Sequence, residues 1–97
     1  MTDAQGALLR QFFVDNMRRA IHCVETEGKI YHAYQHLACA ANCLLEMYPG
    51  TNGMVQRAAF NEIVFPRDER GRVDVRVYIR RLPVMKQWVA LVNEGVL

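Results

Sequence analysis

Apolar residues recur at intervals of three and four along the first half of the chain, which is the spacing of an amphipathic helix. They predict one long helix over residues 3–27, and Gly28 suits the left-handed residue that ends a helix. A second helix is predicted over residues 29–48, where Pro49-Gly50 would stop it. Because the connection between them is short, we expect the two helices to form an antiparallel hairpin.

The pattern changes in residues 71–81, where apolar and polar residues alternate. A period of two is typical of a half-buried strand, and four β-branched residues fall on one of its faces. Those residues are Val73, Val75, Val77 and Ile79. Residues 61–65 also predict a strand, and the charged segment 66–71 would join the two strands as the tip of a β-hairpin.

The other segments complete an α-α-β-β-α order. Thr51-Asn52-Gly53 is typical of a turn, and residues 54–61 fit either a short helix or the start of a strand. Pro83 suits the first position of a final helix. We therefore expect residues 1–97 to form a single α+β domain, in which the helical hairpin and the C-terminal helix pack on a small antiparallel β-hairpin.

Composition narrows the classes of function. A formal net charge of +2 does not favour general binding of polyanions. Three cysteines and no signal peptide favour reduced thiols in the cytoplasm, and no apolar run reaches the roughly 18 residues of a membrane span. The hydrophobic fraction of 52% leaves apolar side chains for a partner interface or a homodimer.

Arginine is concentrated in the predicted β-hairpin. Arg72, Arg76 and Arg80 would share the outer face of the second strand with Tyr78. Arginine and tyrosine are typical anchors of protein interfaces, and a basic stripe beside an aromatic ring can also follow a phosphate backbone. A solvated sheet face that discourages edge pairing would explain the same charges. The candidate partner-binding residues are Arg67, Arg70, Arg72, Arg76, Tyr78 and Arg80.

A winged-helix DNA-binding regulator is the alternative. A helix over residues 52–60 would then follow the second helix as a helix-turn-helix, and residues 67–72 would form the wing. The candidate contacts with bases or phosphates are Asn52, Gln56, Arg57 and Asn61. The small net charge and the core-like residues Met54, Val55 and Phe60 argue against this hypothesis.

Histidines and cysteines follow one face of the second helix. They are His32, His36, Cys39 and Cys43. A rise of about 1.5 Å per residue spreads them over roughly 16 Å, too far for one metal ion. A metal or thiol sensor, our third hypothesis, would use His22 and Cys23 from the first helix together with His32, His36 and Cys39. We expect buried thiols and neither a metal site nor a cofactor.

No catalytic pattern is present, whether a Gly-rich phosphate loop, a nucleophile elbow or a zinc-protease motif. We therefore expect a non-enzymatic function. The favoured hypothesis is a small cytoplasmic interaction module that binds and occludes a protein or ribonucleoprotein partner, for example a phage or mobile-element inhibitor of a host complex. Nucleic acid is the less favoured partner.

Overall fold

The computed structural model describes residues 3–48, 50–72 and 78–94, and all regular elements in these ranges are helices. Helix α1 spans Asp3–His22, a π-helical turn spans Cys23–Glu27, α2 spans Ile30–Met47, α3 spans Gly50–Val64 and α4 spans Tyr78–Asn93. The described ranges contain no strand, so the predicted α+β fold is wrong. They form a four-helix domain instead.

The predicted helical hairpin is confirmed. Gly28 has a φ of 66° and ends the π-helical turn, and the Lys29 N–H donates to the Cys23 carbonyl oxygen at 2.9 Å. Helix α1 packs most extensively against α2. Burial raises the pKa of Tyr48, just after α2, and the nearby charge of Arg10 acts in the opposite direction. The connection between the π-helical turn and α2 is only two residues long, so helices that pack this extensively run antiparallel.

The core is drawn mainly from the hairpin, with fewer residues from α3 and α4. Phe60 of α3 connects three helices: its ring centroid lies 5.7 Å from that of Phe13 in α1 and 5.3 Å from that of Trp88 in α4, both edge to face. The other fully buried large side chains are Val14, Met17, Leu37, Leu44, Val64, Met85 and Val92. Edge-to-face packing is a favoured arrangement of aromatic rings, so Phe60 anchors α3 to the domain.

Helix α3 begins where the sequence predicts a turn. Residues 51–53 form its first turn, and Gly53 is buried against α2. A Cβ atom at Gly53 would lie 2.6 Å from the Tyr48 carbonyl oxygen and 2.9 Å from that of Leu45. Glycine is therefore required here for close approach of two helices, and the turn prediction is wrong.

The strand predicted over residues 61–65 is also wrong. Residues 61–64 belong to the last turn of α3, and the Phe65 N–H donates to the Asn61 carbonyl oxygen at 2.8 Å. The buried residues Gly53, Phe60 and Val64 are seven and four residues apart, which is helical spacing. The burial of Phe60 and Val64 in the core therefore stabilises residues 61–64 as a helix instead of a strand.

The alternating segment is only partly described. Residues 73–77 lie outside the described residues, whereas residues 78–81 form the first turn of α4, so that part of the strand prediction is wrong. Pro83 lies inside α4 instead of opening it. The half-buried and buried residues Leu82, Met85, Val89 and Val92 follow a helical spacing.

Candidate functional site

A groove of about 640 Å³ lies between α2 and α3. Its apolar lining consists of Ala38, Ala41, Phe65 and Pro66. Its polar lining consists of Asn42, Arg57, Asn61, Glu62 and Arg67. The alanine side chains of α2 are small and leave an open space beside α3. We call the surface formed by these nine lining residues the α2–α3 groove. An apolar floor with a few polar groups is typical of ligand and peptide sites.

Arg57 and Asn61 bring unpartnered polar groups to the groove. Within residues 3–48, 50–72 and 78–94, no side chain forms an ion pair or a hydrogen bond with the Arg57 guanidinium. The Oδ1 atom of Asn61 is buried, and no hydrogen-bond donor from the described part of the chain reaches it. A buried acceptor without a donor costs about 1–3 kcal/mol. Because this oxygen is shielded from solvent, a molecule in the groove does not reach it, whereas the Arg57 guanidinium stays available for pairing.

Aromatic rings extend the groove towards the start of α2. The ring centroids of Tyr31 and Tyr34 are 6.0 Å apart, and those of Tyr34 and Phe65 are 5.6 Å apart. Tyr31 is 74% exposed. Because Phe65 also lines the groove, these three residues, the aromatic ladder, continue its apolar wall to the surface.

Asp68 organises the loop that follows α3. Its Oδ1 atom accepts hydrogen bonds from the backbone N–H groups of Arg70 at 2.9 Å and Arg72 at 3.0 Å. Gly71 has a φ of 79°, and its carbonyl oxygen accepts a bond from Arg67 Nη1 at 2.7 Å. Residues 67–72, the arginine loop, are thus held by their own side chains, and Arg67 uses one of its five N–H donors to hold the turn.

The predicted partner-binding residues are not brought onto one face. Arg67 lines the groove, and Arg70 and Arg72 are exposed in the arginine loop. Arg76 lies outside the described residues, Tyr78 is the first residue of α4, and Arg80 is exposed on α4. The prediction of one strand face shared by Arg72, Arg76, Tyr78 and Arg80 is wrong, because Tyr78 and Arg80 are in a helix.

The residues of the DNA-binding hypothesis lie on a real helix but face in different directions. Asn52 is exposed at the start of α3, Gln56 is half-buried, and Arg57 and Asn61 line the groove. The outer face of α3 is apolar, and its Met54 and Val55 are 65% and 61% exposed. An apolar outer face is poorly suited to the phosphate-lined major groove.

The described residues contain no group of three His, Cys, Asp or Glu side chains that could hold a metal ion. His32 is exposed and His36 is half-buried. All three cysteines are free: Cys23 and Cys43 are buried, whereas Cys39 is exposed, so the expected burial of Cys39 is wrong. The histidines and cysteines thus do not form the site of the metal-sensor hypothesis.

Burial raises the pKa of the Cys43 thiol to about 11, with smaller contributions from Glu46 and Cys39. A thiol with so high a pKa is a poor nucleophile at neutral pH, because the reactive form is the thiolate. Cys43 therefore acts as a small apolar residue of the core.

A second, smaller groove of about 380 Å³ lies between the end of α1 and α4. Its charges are largely matched: Lys86 Nζ lies 2.9 Å from Glu25 Oε1. In the neighbouring turn, Glu27 lies 3.3 Å from Lys29 Nζ and 3.6 Å from His22 Nε2. This groove offers fewer unpartnered groups than the α2–α3 groove.

Comparison with known proteins does not assign the site. No protein-family model, characterised protein or solved structure shows a significant match to the chain. No described helix is long and apolar enough to cross a membrane. The α2–α3 groove is therefore interpreted from its own chemistry.

The sequence contains one signal for this groove that our expectations did not use. Tyr31, Tyr34, Ala38 and Ala41 recur at intervals of three and four, beside the inner stripe of α2. A second apolar stripe on one helix predicts a second packing partner along that side. In the structure, α3 packs along one edge of this second stripe of α2. The other edge is exposed in the α2–α3 groove.

Proposed function

We propose that the protein is a small non-enzymatic interaction module that binds and occludes a protein partner, alone or within a ribonucleoprotein, through the α2–α3 groove. The observation that carries this proposal is the combination of an apolar floor with the guanidinium of Arg57, which no described side chain pairs. The stability of the domain does not explain a half-buried arginine without a partner beside apolar groups. A partner that pairs with the guanidinium explains it.

The surroundings of the groove support the same proposal. Tyr31 at the exposed end of the aromatic ladder and Arg70 in the arginine loop are residue types that dominate binding energy at protein interfaces. Tyr31 is connected to Phe65 of the groove lining through Tyr34, and Arg70 follows Arg67 by three residues in the arginine loop. We infer that the interface extends from the groove onto both.

The proposed setting is the cytoplasm, where three free cysteines remain reduced. Inhibition of a host complex by a phage or mobile element is one form that occlusion of a partner takes. A homodimer stays a prediction, and Leu8 and Phe12, exposed four residues apart on α1, are the surface for testing it.

The proposed function is tested by affinity capture from cells with two charge-reversal variants. Arg57→Glu changes the groove, and Arg19→Glu makes the same change on the exposed face of α1. We expect proteins captured by the wild type to be retained by Arg19→Glu and depleted about tenfold by Arg57→Glu, the size of effect typical of an interface anchor. Equal capture by both variants would contradict the proposal. Circular dichroism checks that both variants are folded.

The DNA-binding alternative keeps one supporting observation, which is that α3 follows α2 directly as a helix-turn-helix requires. Fluorescence anisotropy with a random DNA duplex at low salt tests it. Micromolar, salt-dependent binding that Arg57→Glu abolishes would favour the alternative over the protein-binding module.

A further inference from the structure

We infer that the protein forms a weak homodimer, in which the outer face of α3 packs antiparallel against the same face of a second copy. This inference goes beyond the proposed function, because it assigns a second surface and does not use the apolar floor of the α2–α3 groove. Three observations carry it: the apolar character of the face, the order of its large and small side chains, and the distribution of charge along α3.

The outer face of α3 consists of side chains that the domain does not bury. Its six exposed residues are Thr51, Met54, Val55, Ala58, Ala59 and Glu62. Met54 and Val55 are 65% and 61% exposed. The opposite face is apolar as well, since Gly53, Phe60 and Val64 are buried in the domain. A helix that is apolar on two faces is typical of one that packs on both sides, so the outer face predicts a second packing partner.

The order of side chains on this face favours a second copy as the partner. The spacing of the six residues is the same when α3 is read in either direction, as a two-fold interface requires. In an antiparallel pair centred on the face, Met54 and Val55 of one copy lie level with Ala58 and Ala59 of the other. Each large pair therefore meets a small pair, and the helices can interdigitate. A parallel pair would place the large residues against each other and leave a gap between the alanines.

The charges of α3 also favour an antiparallel neighbour. Glu62 lies in the last turn, near the negative end of the helix dipole, and no cation in the described ranges forms an ion pair with it. The first turn contains no acidic residue, although its N–H groups attract negative charge. In the antiparallel pair, Glu62 lies level with Thr51 of the second copy. The carboxylate of each copy thus reaches the positive end of the other helix.

The exposed apolar residues of α1, the other candidate surface for a dimer, do not form an equivalent face. Leu8 and Phe12 are exposed, but their stripe continues with the charged residues Asp15 and Arg19. The Oδ1 atom of Asp15 accepts a bond from Gln11 Nε2 at 2.8 Å. Charged residues are depleted in the centres of interfaces, so α1 serves as the comparison surface.

The size of the outer face limits the strength of the dimer. Six residues form it, whereas a stable interface uses about 20–30 residues on each side. We therefore expect a reversible dimer that forms only at high protein concentration.

Sedimentation equilibrium of the full chain tests the inference, with a reductant present because Cys39 is exposed. We expect a monomer at about 5 µM and a substantial fraction of dimer at about 500 µM, as so small an interface predicts. Val55→Lys should raise the dissociation constant by at least about tenfold, because it places a charge in the centre of the face. Leu8→Lys makes the same kind of change on α1 and should leave the dissociation constant unaltered. Circular dichroism checks that both variants are folded.

Exchange of the large and small pairs tests the antiparallel packing itself. The double variant Ala58→Val/Ala59→Met enlarges the apolar face, yet it should weaken the dimer because large residues then meet large ones. Adding Met54→Ala and Val55→Ala to it restores the match in the reverse order and should recover most of the affinity. A contact that depended only on apolar area would instead be strengthened by the double variant.

Three results would overturn the inference: a monomer at every concentration, equal effects of Val55→Lys and Leu8→Lys, or stronger association of the Ala58→Val/Ala59→Met variant. Such a failure is distinguishable from failure of the proposed function. Affinity capture reads the groove through Arg57, whereas sedimentation of the purified chain reads the outer face through Val55. Either surface can therefore fail its test while the other passes.

Discussion

The α1–α2 hairpin and helix α3 use their side chains differently. In the hairpin, apolar residues form continuous stripes whose central members, such as Phe13 and Leu37, are fully buried. In α3 only Gly53, Phe60 and Val64 are buried, and large apolar residues face outwards. The core therefore explains most of the apolar positions of the hairpin, with Leu8, Phe12 and Tyr31 as exposed exceptions. It explains fewer positions of α3, whose polar residues Arg57, Asn61 and Glu62 line the groove to which we assign the binding surface.

The largest expected effect on stability comes from removing Phe60, the aromatic side chain that anchors α3 to the domain. Phe60→Ala should lower the free energy of unfolding by about 3–5 kcal/mol, because it leaves a cavity between Phe13 and Trp88. Urea denaturation measures this loss. A decrease below about 1 kcal/mol, the level of a typical surface change, would mean that α3 is not docked through Phe60.

The close contact between α3 and α2 gives the next largest effect. Gly53→Ala should destabilise the domain by about 1–3 kcal/mol, because its Cβ would overlap two carbonyl oxygens of α2 and the residue after it. Gly6→Ala is the matched control: its Cβ would lie 3.7 Å from Arg10 Nη1, an ordinary contact. Since alanine favours a helix over glycine by about 1 kcal/mol, we expect Gly6→Ala to be neutral or stabilising. Equal destabilisation by both changes would contradict the contact.

The hairpin core also predicts a dependence on pH. Burial raises the pKa of Cys43 from 9.0 to about 11, so the unfolded chain loses this proton first. The resulting stabilisation is fully present below pH 9 and disappears as the pH rises towards 11. We expect Tm to fall over this interval, and to fall less in Cys43→Ala. An identical fall in both proteins would assign the effect to other groups, such as Tyr48, whose pKa burial also raises.

The arginine loop should respond to loss of its internal hydrogen bonds. Asp68→Ala removes the acceptor for the Arg70 and Arg72 N–H groups and should cost about 1 kcal/mol. Because the loop carries three arginines, we expect trypsin to cleave it faster in this variant. Glu69→Ala, a neighbouring exposed change, should leave the cleavage rate unaltered, and equal acceleration in both would refute the role of Asp68.

The smallest effect on stability should come from the groove itself. Arg57→Gln should change the free energy of unfolding by no more than about 0.5 kcal/mol, because Arg57 has no ion-pair or hydrogen-bond partner among the described residues. Urea denaturation of this variant beside Phe60→Ala measures the contrast directly. A loss as large as that of a core change would show that Arg57 is a structural residue.

The two regions also differed in how far the sequence predicted them. The hairpin could be predicted from local signals. The helical stripe, Gly28 and the proline after Tyr48 each determine the conformation of residues next to them in the sequence. Tyr48 is extended, with φ of −117° and ψ of 130°, as the residue before a proline should be. The bounds of α1 with its π-helical turn and of α2 agree with the prediction within about one residue.

The second half depended on contacts that local patterns do not contain. The alternation in residues 71–81 predicts a strand, yet its last residues, 78–81, form the first turn of α4, and the residues predicted to pair with it, 61–64, are held in α3 by the burial of Phe60 and Val64. Gly53 has the sequence context of a turn, yet its role is close packing. The groove joins Arg57 and Asn61 with Arg67, which the sequence placed in separate hypotheses, because only the packing of α2 against α3 brings them together.

Site-specific photo-crosslinking in cells tests most directly whether the α2–α3 groove is the binding surface. A photoreactive amino acid is placed at Glu62 on the exposed rim of the groove, and for comparison at Arg19 on α1. The account predicts a discrete adduct with a partner protein from Glu62 that is absent from Arg19, and its loss on adding Arg57→Glu. Adducts from Arg19 alone, or equal adducts from both positions, would contradict it.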